Sequence, residues 1–319
     1  MSTNSRSMTA FSAETFFSRR RNMALMAVFY TFMWGCAFPL VKICMDSFQI
    51  AVTDHMSKCL LAGIRFTFSG ILTLLCSGAS GNSCGRVTKK QLKCAVLYGI
   101  TATTLQYAFT YVGLSMVDGA KGAIYDQMGV FVIVLTSGIF FHGDRLSVMK
   151  LTGCVLGFAG VLVINADGCG FMFNPKDGIM MLAVICQTTS CFIAKGCAGM
   201  IPAAKLTGYG QLIGGAILCS ISLLFGGRIR TINLCAVITL LLLIIISAVA
   251  YTLSMLPLRY FPVSEVSSFN LLITVFGVIM SATLLGENIF RAKYAVSLIL
   301  ISLGILLINR RNYHVEPIR

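Results

Sequence analysis

The feature that most limits what this chain can fold into is a series of long apolar runs that recurs from residue 23 to residue 309. A helix that crosses the hydrocarbon core of a bilayer needs about 20 mostly apolar residues. Runs of that kind lie at 23–44, 58–77, 94–116, 119–141, 147–166, 178–199, 206–226, 233–256, 262–285 and 292–309. Pro257 and Pro262 should end one helix and start the next, because proline lacks an amide donor. The sequence therefore predicts an all-α membrane protein with ten transmembrane helices.

The composition points to lipid rather than water as the solvent. Hydrophobic residues make up 57% of the 319 residues and charged residues only 11%, whereas a soluble domain keeps roughly a quarter of its residues charged. The 13 cysteines include no CxxC pair, which argues against a metal site. The sequence contains no G-x-x-x-x-G-K-[ST] loop for a nucleotide and no arguable Ser–His catalytic pair. We therefore expect a membrane protein that is not an enzyme and that needs no cofactor and no metal.

The chain carries a net charge of +14, with 25 Lys and Arg against 11 Asp and Glu. These charges are scattered over short loops without a basic face, so nucleic acid is not an expected partner. Roughly twice as many Lys and Arg fall on one side of the predicted spans as on the other, and basic loops stay in the cytoplasm. The pattern predicts cytoplasmic tails at 1–22 and 310–319, in a bacterial inner membrane with both termini inside.

The sequence also contains an internal repeat. Residues 142–165 resemble residues 285–309, with Gly143-Asp144 over Gly286-Glu287, and a weaker pair places Gly70 over Gly214. The offset of about 143–144 residues divides the chain into a first half, 23–166, and a second half, 178–309, each with five spans. Since five is odd, the second half must enter the membrane from the opposite side. Such an inverted repeat is typical of secondary carriers, whose binding site lies near the midplane between the halves.

Several motifs, in order along the chain, resemble the EamA family of the drug/metabolite transporter superfamily. Residues 34–42 read WGCAFPLVK, which is similar to the W-G-x-x-F-x-x-x-K opening of that family. The other matching positions are Arg65-Phe66, Gly113-Leu114, the AKGA of 120–123, Gly143-Asp144 and Gly286-Glu287. The resemblance implies a ten-helix inverted repeat that moves small metabolites, often outward. The proline that is usual late in the fourth helix is missing, and Phe131 stands near its place.

Three charged residues are candidates for gating or coupling: Arg65, Lys121 and Asp126. A charge inside hydrocarbon costs at least about 2.5–3.5 kcal/mol, so it should face the bundle interior. Arg65 and Asp126 each lie about seven residues inside spans that start at the outer face, and at 1.5 Å per residue they reach similar depths. They could form an ion pair that only holds two helices together, or a polar gate. Arg65 could instead anchor a substrate carboxylate, and Asp126 could bind a coupling proton.

Charged residues near the span ends have more ordinary explanations. Lys42, Lys195 and Glu265 lie within a turn or two of a span end, where long side chains snorkel to the interface; the alternative is that they face the bundle interior. Asp144 and Glu287 follow the fourth and ninth spans. Each of these two carboxylates either caps a helix or belongs to a gate.

The candidate substrate contacts are polar or aromatic residues near the middle of their spans: Trp34, Gln127, Gln187, Tyr251 and Asn270. Trp34 is too deep for the interfacial belt where tryptophan collects. Gln127 and Asn270 occupy equivalent positions in the two halves, and each amide offers two donors and an acceptor. The alternative for all five residues is helix–helix packing, which includes interhelical hydrogen bonds for the amides.

These features predict a secondary transporter that moves an amino acid or similar small polar metabolite by alternating access, as an exporter. Its partners would be the substrate, the lipid bilayer and a coupling proton; the sequence leaves the oligomeric state open. A nucleotide-sugar or sugar-phosphate exchanger is an alternative, but it should have a deep Lys or Arg in the second half as well. A membrane enzyme or sensor would need a catalytic constellation or an output domain, and the sequence contains neither.

Overall fold

The computed structural model describes residues 18–51, 53–79, 87–114, 119–142, 144, 146–164, 177–285 and 292–310. These residues form helices and no strand, which confirms the all-α prediction. The helices are α1 Arg20–Ser47, α2 His55–Ala79, α3 Lys89–Gly99, α4 Gln106–Leu114, α5 Gly119–Phe140, α6 Val148–Ile164, α7 Asp177–Cys197, α8 Ala203–Leu224, α9 Leu234–Met255, α10 Val263–Ser268, α11 Leu271–Leu285 and α12 Ala292–Asn309.

Among the described residues, five helical stretches are long and apolar enough to cross a membrane: Arg20–Ser47, His55–Gly78, Gly178–Cys197, Ala203–Leu224 and Leu234–Arg259. Shorter apolar helices cover Gln127–Phe140, Val148–Val163, Val263–Gly277 and Ala295–Asn309. Large apolar side chains such as Ile139, Val148 and Leu224 are strongly exposed on the outside of the bundle. A protein with this surface is a multi-pass membrane protein, because water does not stabilise so much exposed apolar area.

Local sequence explains where several helices begin and end. Asp54 precedes α2 and accepts a hydrogen bond from the backbone N–H of Ser57. At the start of α9, the side chain of Asn233 accepts one from the backbone N–H of Ala236. The helix α9 ends at Met255, a short 3₁₀ turn covers Pro257–Arg259, and α10 starts after Pro262. The predicted effect of the two prolines is therefore confirmed.

Two spans are irregular where they approach the centre of the bundle. The helices α3 and α4 are joined by a π-helical segment, Ile100–Leu105. The helices α10 and α11 are separated by a break at Phe269 and Asn270. Both irregularities change the direction in which the following side chains point.

Glycines bring equivalent helices of the two halves into close contact. A Cβ atom on Gly70 of α2 would lie 2.4 Å from the backbone nitrogen of Leu212 in α8. A Cβ atom on Gly153 of α6 would lie 2.7 Å from the carbonyl oxygen of Gly304 in α12. In each pair, residues earlier in one helix meet residues later in the other, so α2 and α8 run antiparallel, and so do α6 and α12.

The remaining contacts follow one pattern in both halves. The first long helix, α1, packs against α9 and α11 of the second half, and its counterpart α7 packs against α4 and α5 of the first half. The helix α3 contacts α8 in the same way that α9 contacts α2. Each half is therefore completed by the first helix of the other half, and the space between them lies at the centre of the bundle.

Candidate functional site

A cavity of about 280 Å³ lies between the two halves. Its described lining comes from both halves: Tyr30, Trp34, Ala37, Phe38, Val41, Arg65, Tyr98, Gln106, Tyr107, Thr110, Tyr111, Gln187, Ser190, Cys191, Tyr251, Ser254, Met255, Leu258, Val266, Ser267, Asn270 and Ile273. The described lining combines aromatic rings, amides and hydroxyls with a single charged side chain, Arg65. The cavity volume lies at the lower end of the range for pockets that hold small molecules, roughly 300–1,000 Å³.

Arg65 is 4% exposed and borders this cavity. Because α2 begins at His55, Arg65 lies deeper than predicted, ten residues into its helix. Its Nε donates to the hydroxyl of Ser247 in α9 over 2.7 Å, whereas its Nη2 has no hydrogen-bond partner among the described residues. Among the described residues, the guanidinium therefore has one hydrogen-bond acceptor, a neutral hydroxyl, and a donor nitrogen without a partner.

Aromatic residues surround the guanidinium. Its central carbon lies 5.7 Å from the ring centroid of Trp34 and 5.1 Å from that of Phe66, within the range of cation–π attraction. Trp34 packs edge to face against Tyr251 with 4.8 Å between centroids. The hydroxyls of Tyr107 and Tyr251 lie 3.1 Å apart and share a hydrogen bond. These two tyrosines are 144 residues apart, the offset of the repeat, so they join equivalent helices at the centre of the protein.

Two local features place the amides of Gln187 and Asn270 at the cavity: a glycine that faces Gln187 and a helix break at Asn270. Gly129 of α5 has no side chain, and a Cβ atom there would lie 1.9 Å from the Oε1 of Gln187, so a larger residue at 129 would displace this amide. Asn270 sits in the break between α10 and α11. The break frees it from regular helix geometry and places it in the cavity lining.

The other predicted residues lie elsewhere. Gln127 is 5% exposed, and its Oε1 has no hydrogen-bond partner among the described residues. Gln127 does not belong to the described lining, although its counterpart Asn270 does. The side chains of Lys121 and Asp126, and the whole of Glu287, fall outside the described residues. The predicted pairing of Arg65 with Asp126 therefore stays a prediction.

At one end of the cavity, Asp144 joins the two halves. Its carboxylate accepts hydrogen bonds from the backbone N–H of Ser264 (2.9 Å), from the hydroxyl of the same serine and from Lys150. Ser264 lies in the first turn of α10, which follows Pro262 and has no side-chain cap of its own. Burial would raise the pKa of Asp144, but the hydrogen bonds from Lys150 and Ser264 outweigh burial and hold the pKa below its ordinary value. Asp144 is therefore both a cap and a link between halves.

Two further contacts lie near Ser264. Arg20 at the start of α1 forms an ion pair of 2.6 Å with Glu265 of α10. Lys195 donates to the carbonyl oxygens of Leu258 and Phe261 over 2.6 and 2.7 Å. Lys195 and Glu265 thus bind partners within the protein, and their predicted position at the membrane interface stays a prediction.

Sequence reasoning missed several residues at this site. Tyr111 and Thr110 line the cavity one turn after Tyr107 and Gln106, and the four-residue spacing could have indicated them. Ser247 lies one turn before Tyr251 on α9, and the same spacing applies. In the part of the chain that the structure describes, no group of three His, Cys, Asp or Glu side chains could hold a metal ion.

Comparison with known proteins gives consistent matches over both halves. The sequence profile described as the EamA-like transporter family matches residues 21–166 and 175–310. The chain is 33% identical over 155 residues to the uncharacterized transporter YvbV of Bacillus subtilis (strain 168), and the match covers 46% of this chain and 45% of that protein. It is 24% identical over 291 residues to the WAT1-related protein At3g02690, chloroplastic, of Arabidopsis thaliana, over 87% of this chain and 67% of that protein. A solved crystal structure of another protein, 17% identical, superposes with a TM-score of 0.71 over 88% of this chain and 97% of that one, so the two share a fold.

Proposed function

Because this chain belongs to the EamA-like transporter family, we propose that it is a secondary transporter that exports a small polar metabolite by alternating access. The proposal places it in a bacterial cytoplasmic membrane with both termini inside, as the distribution of basic loops favours. The observation that carries the proposal is the central cavity. Both halves line this cavity, and its described lining includes one buried cation, Arg65, whose Nη2 has no described hydrogen-bond partner.

The proposal includes ten membrane crossings arranged as an inverted repeat. The antiparallel contacts of α2 with α8 and of α6 with α12 support it, because equivalent helices related by a two-fold axis in the membrane plane must run in opposite directions. The short helices also combine into longer units: α3 continues through the π segment into α4, and α11 follows α10 after a break of two residues. Units of that length are long enough to cross a bilayer.

Alternating access requires an end that can close and open. We assign this role at the cytoplasmic end to the contacts of Asp144 with Ser264 and of Arg20 with Glu265. Each contact joins an element of one half to α10 of the other half, so separating the halves would break both. The opposite end would then open while these contacts are in place, and a coupling proton on Asp126 could drive the exchange.

The size and lining of the cavity favour an amino acid or a metabolite of similar size. An exchanger of nucleotide-sugars or sugar-phosphates binds a phosphate dianion, for which a second deep Lys or Arg in the second half would be expected. Among the described lining residues, Arg65 is the one cation, and it belongs to the first half.

Reconstitution into liposomes tests this function. Uptake of a panel of labelled amino acids, organic acids and sugar-phosphates would be measured with and without a pH gradient, with protein-free liposomes as the blank. We expect saturable uptake of at least one amino acid or organic acid, and at least tenfold lower uptake by Arg65→Gln. Uptake of no compound in the panel, or of sugar-phosphates alone, would contradict the proposal.

A further inference from the structure

The buried charge of Arg65 is not neutralised by any described residue. Its Nε bonds the neutral hydroxyl of Ser247, and its Nη2 has no partner in the described ranges. No Asp or Glu belongs to the described lining of the cavity. An uncompensated charge in a low-dielectric interior is costly, and among the described residues Arg65 has no counter-ion.

The rings around Arg65 restrict how an anion can approach. The guanidinium carbon lies over the rings of Trp34 and Phe66, and Ser247 occupies the Nε–H. Nη2 is buried and has no described hydrogen-bond partner, and Arg65 is part of the cavity lining. A flat group with donors along one edge matches the two coplanar oxygens of a carboxylate better than a compact or spherical anion.

The rest of the lining indicates what the carboxylate is attached to. Phe38, Val41 and Ile273 supply apolar wall, and Tyr251 and Trp34 supply ring faces and edges. Such walls gain free energy from contact with an apolar group, at about 25 cal/mol for each Å² of apolar surface buried. A phosphate dianion would leave one negative charge without a described cationic partner.

We infer that the cavity selects its substrate by one carboxylate, which accepts the free donors of Arg65, and by an apolar body that packs against Trp34 and Tyr251. An ammonium group is not required, so organic monocarboxylates and apolar amino acids both belong to the class. This inference rests on the proposed function, because it names the substrate class of the same cavity.

The protein carries its own probe for this test. Trp34 is the single tryptophan of the chain, and it lies in the cavity beside Arg65. Its fluorescence, excited on the red edge where tyrosine does not absorb, would be followed while the protein is titrated with isovalerate, isocaproate or L-leucine. A parallel titration would use the primary amide of each acid. Ligand-induced changes in melting temperature supply a second measure that does not depend on Trp34.

We expect at least one of the three acids to bind saturably, and about ten- to a hundredfold more tightly than its amide, as one charge-assisted hydrogen bond provides. In Arg65→Gln this preference should disappear, and Arg65→Lys should keep part of it. Arg230→Gln removes an exposed arginine in the segment before α9 and should bind like the wild type.

Equal binding of acids and amides, or no binding of any acid, would overturn the inference. The first of these results would mean that a carboxylate of the chain, such as Asp126, already holds the guanidinium. The acid-to-amide comparison in the wild type stays informative even if Arg65→Gln does not fold. Acids that bind in the cavity but do not cross liposome membranes would contradict the transport function and leave the carboxylate selectivity in place.

Discussion

Two buried charges of this protein, Arg65 and Asp144, are treated in opposite ways by their surroundings. Asp144 accepts bonds from the backbone and the hydroxyl of Ser264 and from Lys150, so its charge is fully matched. Among the described residues, Arg65 meets a neutral hydroxyl and ring faces, so its charge has no described counter-ion. A matched charge stabilises one arrangement of the helices, whereas an unmatched charge provides a binding site.

Replacing Asp144 by Asn tests the link between the halves. Asparagine keeps an oxygen acceptor for Ser264 but loses the ionic bond to Lys150, so we expect a loss of about 1.5–3 kcal/mol. The lowered pKa in the folded protein means that the stabilisation is complete above the ordinary Asp value of about 3.9 and is lost as pH falls through the lowered one. The wild-type melting temperature should therefore fall in that acid range.

Comparison with the variant tests Asp144 together with its effect on Glu265, because the negative charge of Asp144 also acts on the carboxyl group of Glu265. Asp144→Asn should show a lower melting temperature at neutral pH and a smaller further decrease on acidification. Identical pH profiles for the two proteins would mean that Asp144 does not stabilise this end of the bundle.

Asp126 is the residue predicted to couple transport to a proton. Asp126→Asn cannot lose or gain a proton, so we expect flux to be abolished or to become independent of the pH gradient while the protein still inserts. Asp46→Asn is a matched control, because Asp46 is exposed near the end of α1. Gradient-dependent flux in Asp126→Asn would remove this residue from the coupling mechanism.

At the scale of single helices, two irregular spans shape the cavity. The π segment at Ile100–Leu105 directly precedes Gln106 and Tyr107, which line the cavity, and the break before α11 holds Asn270. Their counterparts in the other half, α9 and α5, are continuous helices over their described lengths. Irregular backbone at a cavity is a site where a helix can bend at low cost.

The contact between α2 and α8 depends on glycine. Gly70→Ala places a Cβ atom 2.4 Å from a backbone nitrogen and 2.6 Å from a carbonyl oxygen of α8, and neither backbone atom can turn away. We expect a loss of about 1–3 kcal/mol, as for other overpacked positions. Thermal unfolding in detergent measures this loss as a lower melting temperature.

The same helix offers a matched control. Gly78 of α2 has no atom within 4 Å of the position that a Cβ would occupy. Gly78→Ala should leave the stability unchanged or raise it, since alanine is the better helix former. A similar loss in both variants would mean that the close approach of α2 and α8 at Gly70 is not its cause.

The sequence predicted those features of the fold and the site that depend on short stretches of the chain. Apolar runs and Pro257 with Pro262 gave the helices and their ends, and position within a span placed Trp34, Gln187, Tyr251 and Asn270 near the centre. The π segment and the hydrogen bond between Arg65 and Ser247 depend on contacts between distant parts of the chain, 182 residues apart in the second case. Gln127 shows the limit of the repeat: an equivalent sequence position does not guarantee an equivalent environment, because α5 is straight where α10 and α11 are broken.

At the scale of the whole molecule, the account depends on one cavity shared by two halves. Each half lends its first helix to the other, and the tyrosine pair joins equivalent helices across the centre. Two contacts between the halves, of Asp144 with Ser264 and of Arg20 with Glu265, lie together at one end of the bundle. This arrangement fits a protein whose halves rock about the cavity and expose it to one side at a time.

Counterflow in liposomes tests that claim most directly. Liposomes that contain the protein would be preloaded with an unlabelled compound of the panel and diluted into a trace of the same compound in labelled form. We predict a transient accumulation of label above its external concentration, because a cavity exposed alternately to the two sides exchanges one molecule for another. Uptake that the internal compound does not accelerate, with label never exceeding the external concentration, would contradict alternating access.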